Sequence, residues 1–462
     1  MGYLYLCDMK AATDIVSLYQ VLTPAKFLTL EEQEFYVDVY GSQIKRMRTI
    51  LQLIEDEKHT IYVSGLSGSG KTTALNFLPD TDLHEKFEVK FLMGSDLFDL
   101  NDLDIIDVLL ILCLNLVEGN KELEKVYLDY LNKVKEQIRG RYEEFTEREK
   151  TKSSTIGGGV EAKLGKNPLT HMLTSMGGGL SFLANYRFKR ENRKIVREIF
   201  RPHVEELLKT TNEIITLYLG KVDKTGDKQL LLIFNELNHI KNLKVIEKLF
   251  IDNRIVLERI NAKKIITIPI TLTFMNGFNA EIEFLGLKIN ENPLDGQGIE
   301  LSKEAKDNRE ILRDIVRKRI DGEVANLVDK EAIDEAIELS GGHIRQFISL
   351  LNQAALHNIV NSDGKGKVSY NDLKDGGAPI ERQKLSRKLI EEKKIILLGQ
   401  ILEKNIATSQ ENKTFLECSL SNQVFVYKNS NFWYDVNPLI KGTVKLYAKQ
   451  IKERGKNDSE NA

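Results

Sequence analysis

The residues best placed to do chemistry form one short run, Gly65 to Thr72, reading GLSGSGKT. Its form is G-x-x-x-x-G-K-[ST], in which glycines let the backbone fold so tightly that successive N–H groups converge on phosphate oxygens. Gly65, Gly68 and Gly70 put no side chain into that cradle, and Ser67 and Ser69 stand between them. Lys71 supplies a point charge that reaches the β and γ phosphates of a nucleotide, and the Thr72 hydroxyl can complete the coordination of Mg²⁺. Thr73 is a secondary candidate beside it. A helix starting near Gly70 adds the positive end of its dipole.

A metal-bound polyphosphate calls for acids nearby, and the apolar run QLLLIF, Gln229 to Phe234, ends in the one suitable group, Asn235 and Glu236, with Asn238 two residues on. The usual arrangement closes such a strand with an Asp that holds Mg²⁺ through water, next to an acid that polarises the attacking water. Asn235 takes the first place here. An amide accepts a hydrogen bond from metal-bound water but lacks a carboxylate's full charge, so slow hydrolysis is expected. Glu236 is the candidate catalytic base, with a plain surface role as the alternative.

These groups need strands and helices to position them. His59 to Val63, Phe87 to Met93, Gln229 to Phe234 and Lys264 to Thr273 read as strands, the last with a local break at Pro269. Helical patterns fall between them, among them Ile105 to Val117 and Leu243 to Ile260. The alternation predicts an α/β fold with a parallel, doubly wound sheet of at least four strands. Residues 1–58 form a helix-rich lead-in, with an extended piece at Phe35 to Val39 and an amphipathic run from Gln43 to Glu55. A charged, Gly-rich insertion around 119–182 interrupts the core at 59–292; its clusters Gly157 to Gly159 and Gly177 to Gly179 suit a flexible insertion or tight turns. Arg187 to Arg201 carries seven lysines and arginines, a pattern of a solvated helix face or, as the sharper alternative, of a contact with a neighbouring subunit or acidic partner.

Beyond Pro293 the patterns are helical only: Lys303 to Ile320, Lys330 to Leu339 and His343 to Val360, a lid over 293–362. A glycine-rich link, Ser362 to Gly377, leads to a last portion, 381–456. There helices precede the alternating runs Thr414 to Cys418 and Val424 to Tyr427, then Phe432 to Val436, which suggests a winged helix.

Composition sets the limits. The chain has 462 residues, 42% hydrophobic and 29% charged, with 8 prolines, as expected of two or three globular units. Its 66 basic and 68 acidic residues leave a formal charge of −2, so no global field draws it to nucleic acid or membrane. Cys7, Cys113 and Cys418 lie far apart, which removes a disulfide framework and a cysteine-based zinc site. The first residues lack a secretory pattern, and Val108 to Val117 is about half the length of a bilayer span. A cytoplasmic protein without a membrane partner is expected.

Taken with the phosphate loop, LLLIFNELN (Leu230 to Asn238), IITIPITL (Ile265 to Leu272), SGGHIRQFISLL (Ser340 to Leu351) and FVYKNSNFWYDVNPLI (Phe425 to Ile440) make the chain resemble, from Phe35 to Lys449, bacterial P-loop ATPases of the AAA+/STAND type, whose architecture is similar to the origin-recognition initiators. The resemblance implies ATP with Mg²⁺ as cofactors, Thr267 as a polar sensor, and Arg345 as a lid arginine that approaches the γ phosphate and couples nucleotide state to lid angle. It also implies homo-oligomers in which a neighbour's arginine completes the site. Arg254 and Arg259 are candidates, with a helix-surface role the plainer reading.

Such ATPases often serve bacterial defence systems, and no nuclease, protease or TIR-like pattern is visible. The expectation is therefore a nucleotide-dependent switch or assembly ATPase that controls an effector protein encoded nearby. The alternative is a DNA-binding initiator or loader using the winged helix. Residues 381–462 carry 15 basic against 10 acidic residues, about +5, leaving about −7 elsewhere. That asymmetry permits DNA contact, while its modest size favours a protein partner. A vigorous motor would need Glu236 to work without the usual neighbouring Asp.

Overall fold

A computed structural model describes residues 9–24, 26–79, 81–131, 133–134, 190–223, 225–275, 278–291, 300–322, 326–389, 391–404, 413–428 and 431–460. The principal sheet has five strands: β1 (Thr60–Gly65), β2 (Phe87–Met93), β3 (Gln229–Asn235), β4 (Lys263–Pro269) and β5 (Ile282–Phe284), in the order β2-β3-β4-β1-β5. The β1–β5, β2–β3 and β3–β4 pairings are parallel, as the α/β reading expects. β1, β3 and β4 are buried nearly throughout, which is why they are written as runs without an exposed alternate residue. The three-residue β5 has no such run and escaped the sequence reading.

The helices used below are, in chain order, α1 (Ile15–Val21), α2 (Gly41–Leu53), α3 (Lys71–Asn76), α4 (Ile105–Val117), α5 (Arg190–Phe200), α6 (Val204–Val222), α7 (Lys303–Arg317), α8 (Lys330–Ser340), α9 (Ile344–Ser362), α10 (Ala378–Ser386), α11 (Glu392–Lys404), α12 (Lys413–Leu420) and α13 (Lys441–Glu460). Among the described residues no helix is long and apolar enough to cross a membrane. The chain divides into two compact units, one of Met1–Gln52, Ile61–Asp80 and Thr267–Ala462, the other of Leu53–Thr60 and Thr81–Ile266.

In the first unit, Leu30–Phe35 is a 3-10 helix opened by a capping box between Thr29 and Glu32, so the extended piece expected at Phe35 to Val39 is replaced by a helical turn and irregular chain. Pro269 ends β4, because it offers no N–H to continue the ladder, and Ile270–Phe274 turns as a 3-10 helix where a strand to Thr273 was expected. Phe347, Leu350, Leu351, Ala354 and Ala355 of α9 are buried, and the helix packs on α1 and α8. The link Ser362 to Gly377 is helical from Tyr370 onward, since Ser369 and Asp372 cap that turn reciprocally. Its last two glycines serve close packing: a Cβ at Gly376 would lie 2.3 Å from that of His357, and one at Gly377 2.5 Å from the Leu350 carbonyl oxygen.

The C-terminal portion is winged-helix-like. β6 (Val424–Lys428) and β7 (Phe432–Val436) pair antiparallel, with Val426 opposite Tyr434. Thr414 to Cys418, expected as a strand, lies within α12; its buried Phe415, Leu416, Cys418 and Ser419 follow helical spacing. Phe274 meets Phe415, Phe432 and Tyr434 edge-on, with ring centroids 5.3, 5.8 and 5.8 Å away. The turn after β4 is thereby seated in the aromatic core of the winged helix.

In the second unit, α4 is buried almost all round and starts at a capping box of Asp104 and Asp107. The basic helix α5 corrects the solvated-face reading at two positions, while Lys194 and Arg201 stay exposed. Arg193 and Arg197 are buried, the first bonded to Asp99 at 2.6 Å, the second to Asp102 at 2.8 Å and to Asp107. Arg201 bonds Asp104 at 3.3 Å, so the acidic partner is a loop of the same chain. The helix expected over Leu243 to Ile260 is broken into Leu243–Glu247, a π turn at Lys248–Asp252 and Arg254–Glu258. Asn253 makes the break, its side-chain amide taking the Lys248 carbonyl at 2.6 Å. Lys264, fully buried on β4, donates to the carbonyls of Lys58, Ile260 and Ala262 at 2.7–2.9 Å. Residues 121–131 are helical, while the clusters Gly157 to Gly159 and Gly177 to Gly179 lie outside the described residues.

Candidate functional site

β1 ends at Gly65 and α3 begins at Lys71, so the GLSGSGKT run is a strand-to-helix loop, as its pattern requires. The backbone passes through positive φ at Gly68 (90°) and Gly70 (95°), where a side chain would be strained. Ser69 N–H closes a turn onto the Leu66 carbonyl at 3.2 Å. Lys71 is 4% exposed, and its Nζ donates to the carbonyls of Gly65 (3.0 Å) and Leu66 (2.6 Å) and to Ser69 Oγ (3.4 Å). Burial brings its pKa down to about 7, and the charge of Arg345 pushes the same way. Since α3 has only six residues, the positive potential at the loop comes from its backbone amides and this ammonium more than from a helix dipole.

The carbonyl side of the loop is held by the start of the lid. His343 caps α9, its Nδ1 accepting the Gln346 N–H at 3.2 Å; the proton therefore sits on Nε2, which donates to the Ser67 carbonyl at 2.6 Å. Burial lowers the imidazole pKa to about 4, which keeps that ring neutral. Arg345 N–H donates to the Gly68 carbonyl at 3.1 Å. A Cβ at Gly68 would stand 2.7 Å from His343 Cε1 and 2.8 Å from Arg345 Cβ, so a glycine is what lets the lid turn come this near.

The wing reaches the same place. Asn422 Nδ2 donates to the Ser67 carbonyl at 3.1 Å, the His343 ring lies parallel to Phe425 at 5.4 Å, and Tyr427 Oη donates to the Gly341 carbonyl. Tyr427 in turn stacks on Trp433 at 4.3 Å. Asn437 Nδ2 donates to Gln346 Oε1 at 2.8 Å, and Gln346 Nε2 returns a bond to Asn437 Oδ1 at 3.2 Å. On the N-terminal side, Leu28 N–H donates to Thr73 Oγ1 at 3.3 Å and Asn76 Nδ2 to the Leu28 carbonyl at 2.9 Å, so the Thr73 hydroxyl serves the lead-in segment. Tyr40 Oη donates to the Leu285 carbonyl at 2.9 Å.

In the second unit, Asn235 is fully buried at the end of β3, and its Oδ1 accepts the Glu236 N–H at 2.9 Å. That bond holds Glu236 in a left-handed conformation, φ 65°. Glu236 Oε2 accepts from Ser95 N at 3.3 Å and from Ser95 Oγ. Asn238 is buried in the following 3-10 turn. Arg254 pairs with Glu258 at 2.7 Å and Arg259 with Glu205 at 2.8 Å, each within its own chain.

Thus Gly65, Ser67, Gly68, Ser69, Gly70, Lys71, Thr72 and Thr73 share a unit with Arg345, and Thr267 lies buried on β4 in that unit's share of the chain; Asn235 and Glu236 belong to the other. His343, Asn422 and Ser95 were not singled out from the sequence. His343 had a legible signal, a cap residue after Gly341 and Gly342, whereas Asn422 and Ser95 are ordinary polar residues in turns.

No protein-family model matches the chain, and no curated protein matches it. Among solved structures it is similar to a Walker-type ATPase of Pyrococcus abyssi at 12% identity, covering 92% of this chain and 99% of that one, TM-score 0.41. It is also similar to a chain of Drosophila ORC bound to DNA (9%, 97% and 94%, TM-score 0.39) and to the Aeropyrum pernix ORC1 protein in complex with DNA (11%, 92% and 95%, TM-score 0.34). Likenesses of this size leave the function to be argued from the chain's own residues.

Proposed function

We propose that the chain binds ATP with Mg²⁺ in the loop Gly65–Thr72 and acts as a regulatory or assembly ATPase, a nucleotide-dependent switch read out through its winged-helix portion. The donors suit the ligand: loop amides and Lys71 for phosphate oxygens, the Thr72 hydroxyl for the metal. Arg345, whose backbone bonds the loop and whose charge acts on Lys71, is assigned to sensing the γ phosphate, and Thr267 to a lesser sensing role. Glu236 is assigned to polarising water. With Asn235 in the usual Asp place, hydrolysis is slow and the bound state long-lived. One observation carries the switch: residues of the lid and the wing bond the same carbonyl, that of Ser67.

We assign the output to an effector protein encoded nearby in a bacterial defence system, and the working form to a homo-oligomer. The second reading, a DNA-binding initiator or loader, draws on the charge of about +5 over residues 381–462. Calorimetric titration with ATP and Mg²⁺ tests the nucleotide claim. Lys71→Ala is expected to lose at least about a hundredfold in affinity, the scale of a desolvated charge-assisted contact, while keeping its circular dichroism. Glu236→Gln is expected to bind and not turn over. Undiminished affinity in Lys71→Ala refutes the reading.

A further inference from the structure

We propose that Asn422, in the turn before the wing, is a positioning residue for the nucleotide site: it aims the Gly68 N–H at phosphate by holding the Ser67 carbonyl. The inference rests on nucleotide binding at Gly65–Thr72 and names a residue far outside the loop that sets its affinity.

Ser67 C=O and Gly68 N–H belong to one planar trans peptide, and the described chain contains no cis bond, so the two groups point in opposite directions. Fixing the oxygen therefore fixes the hydrogen. Two donors fix it, His343 Nε2 at 2.6 Å and Asn422 Nδ2 at 3.1 Å, one for each lone pair. Both come from the lid and wing side, which leaves Gly68 N–H facing away from them. A carbonyl that accepts two hydrogen bonds is also more polarised, and its peptide N–H becomes a stronger donor.

Asn422 is itself held for this task. It sits at φ 57°, a region that asparagine enters at low cost. Its N–H reaches the Ser419 carbonyl at 3.2 Å, and its own carbonyl accepts from Asn437 Nδ2 at 3.0 Å. Asn437 is the residue that exchanges amide bonds with Gln346 of α9, so the turn is fastened to the lid helix as well. Because Asn422 travels with the wing, any displacement of the wing frees one lone pair of Ser67 and loosens the aim of Gly68. By linkage, nucleotide held on Gly68 pulls the wing home by the same free energy.

The test uses the full chain and two variants. Asn422→Gly keeps the backbone conformation and removes the amide; Asn422→Asp keeps the shape and replaces the donor by an acceptor. Both are expected to weaken ATP·Mg²⁺ binding about five- to twentyfold, the lower part of the usual span of such coupling, with the melting temperature of Asn422→Gly in the absence of nucleotide little changed. His343→Gln combined with Asn422→Gly is expected to lose less than the sum of the two, since both donors act on one oxygen. Trp433, the only tryptophan, stacks on the Tyr427 that bonds the lid, so its emission reports wing seating during the titration. Lys428→Ala, which removes an exposed wing pair with Glu283, is the control and keeps wild-type affinity. Wild-type affinity in both Asn422 variants, or full additivity with His343→Gln, overturns the positioning role while leaving nucleotide binding intact. Failure of the wild-type chain to take up ATP overturns both.

Discussion

Lys71 is held by two loop carbonyls and one hydroxyl, with its ammonium brought down to about 7 by burial and then by Arg345. A polyphosphate beside it favours the charged form, so the bound state holds a proton that the free state partly lacks. Affinity for ATP is therefore expected to fall as pH rises through about 7, by up to about tenfold per pH unit, with net proton uptake on binding. Titrations in buffers of different ionisation heat measure that uptake, and Lys71→Ala abolishes it. The sign for stability is the opposite. The unfolded lysine stays protonated up to its ordinary value near 10.5, so the penalty for burying Lys71 is full below about pH 7 and shrinks as pH rises above it. At this scale the sequence was legible where spacing alone dictates geometry: GLSGSGKT could be read because glycine positions and one lysine define a cradle. Asn422 could not, because its meaning comes from meeting Ser67 across 355 residues of chain. Ser95 was hidden for the same reason, its role resting on Glu236 141 residues later.

The contact of α5 with the acidic stretch around α4 is built of ion pairs. Arg197, 7% exposed, bonds Asp102 and Asp107, while Arg201 and Lys248 share Asp104. Removing one partner of such a cluster strands buried charge. Arg197→Ala is expected to cost about 3–5 kcal/mol in urea unfolding, and Arg197→Ala paired with Asp107→Asn to cost less than the two separately. Asp107 has a second duty, accepting the Asp104 N–H at 2.9 Å, so its own loss also frays the start of α4. The seven basic residues of Arg187 to Arg201 gave no hint of this, because a charged helix face reads alike whether it meets water or carboxylates. β3 was legible for the converse reason: burial on both faces leaves the run LLLIF, Leu230 to Phe234, no polar position to disguise it. α12 was misread because Thr414 to Cys418 offers only five residues, too few to separate a period of 2 from one of 3.6.

For the molecule as a whole, charge is what a test of the two proposed readings of the winged helix turns on. Of Lys441, Lys445, Lys449 and Lys452 on α13, three already face Asp435, Glu453 and Glu403. Those pairs offset part of the positive charge of that helix. Duplex binding is expected to be weak at physiological salt, with a log–log slope no steeper than about −3, equal to roughly three phosphate contacts. Filter binding from 50 to 200 mM salt measures it, and a slope near −6 or beyond would favour the DNA-loading reading. The unit that contains the phosphate loop is also spliced together from Met1–Gln52, Ile61–Asp80 and Thr267–Ala462. A ribosome makes Ser67 a full 355 residues before it makes Asn422. Every nascent copy therefore passes through a long stage in which the loop exists but its Asn422 fastener is untranslated, and on the proposed reading capture of nucleotide at full strength waits for Asn422 to emerge.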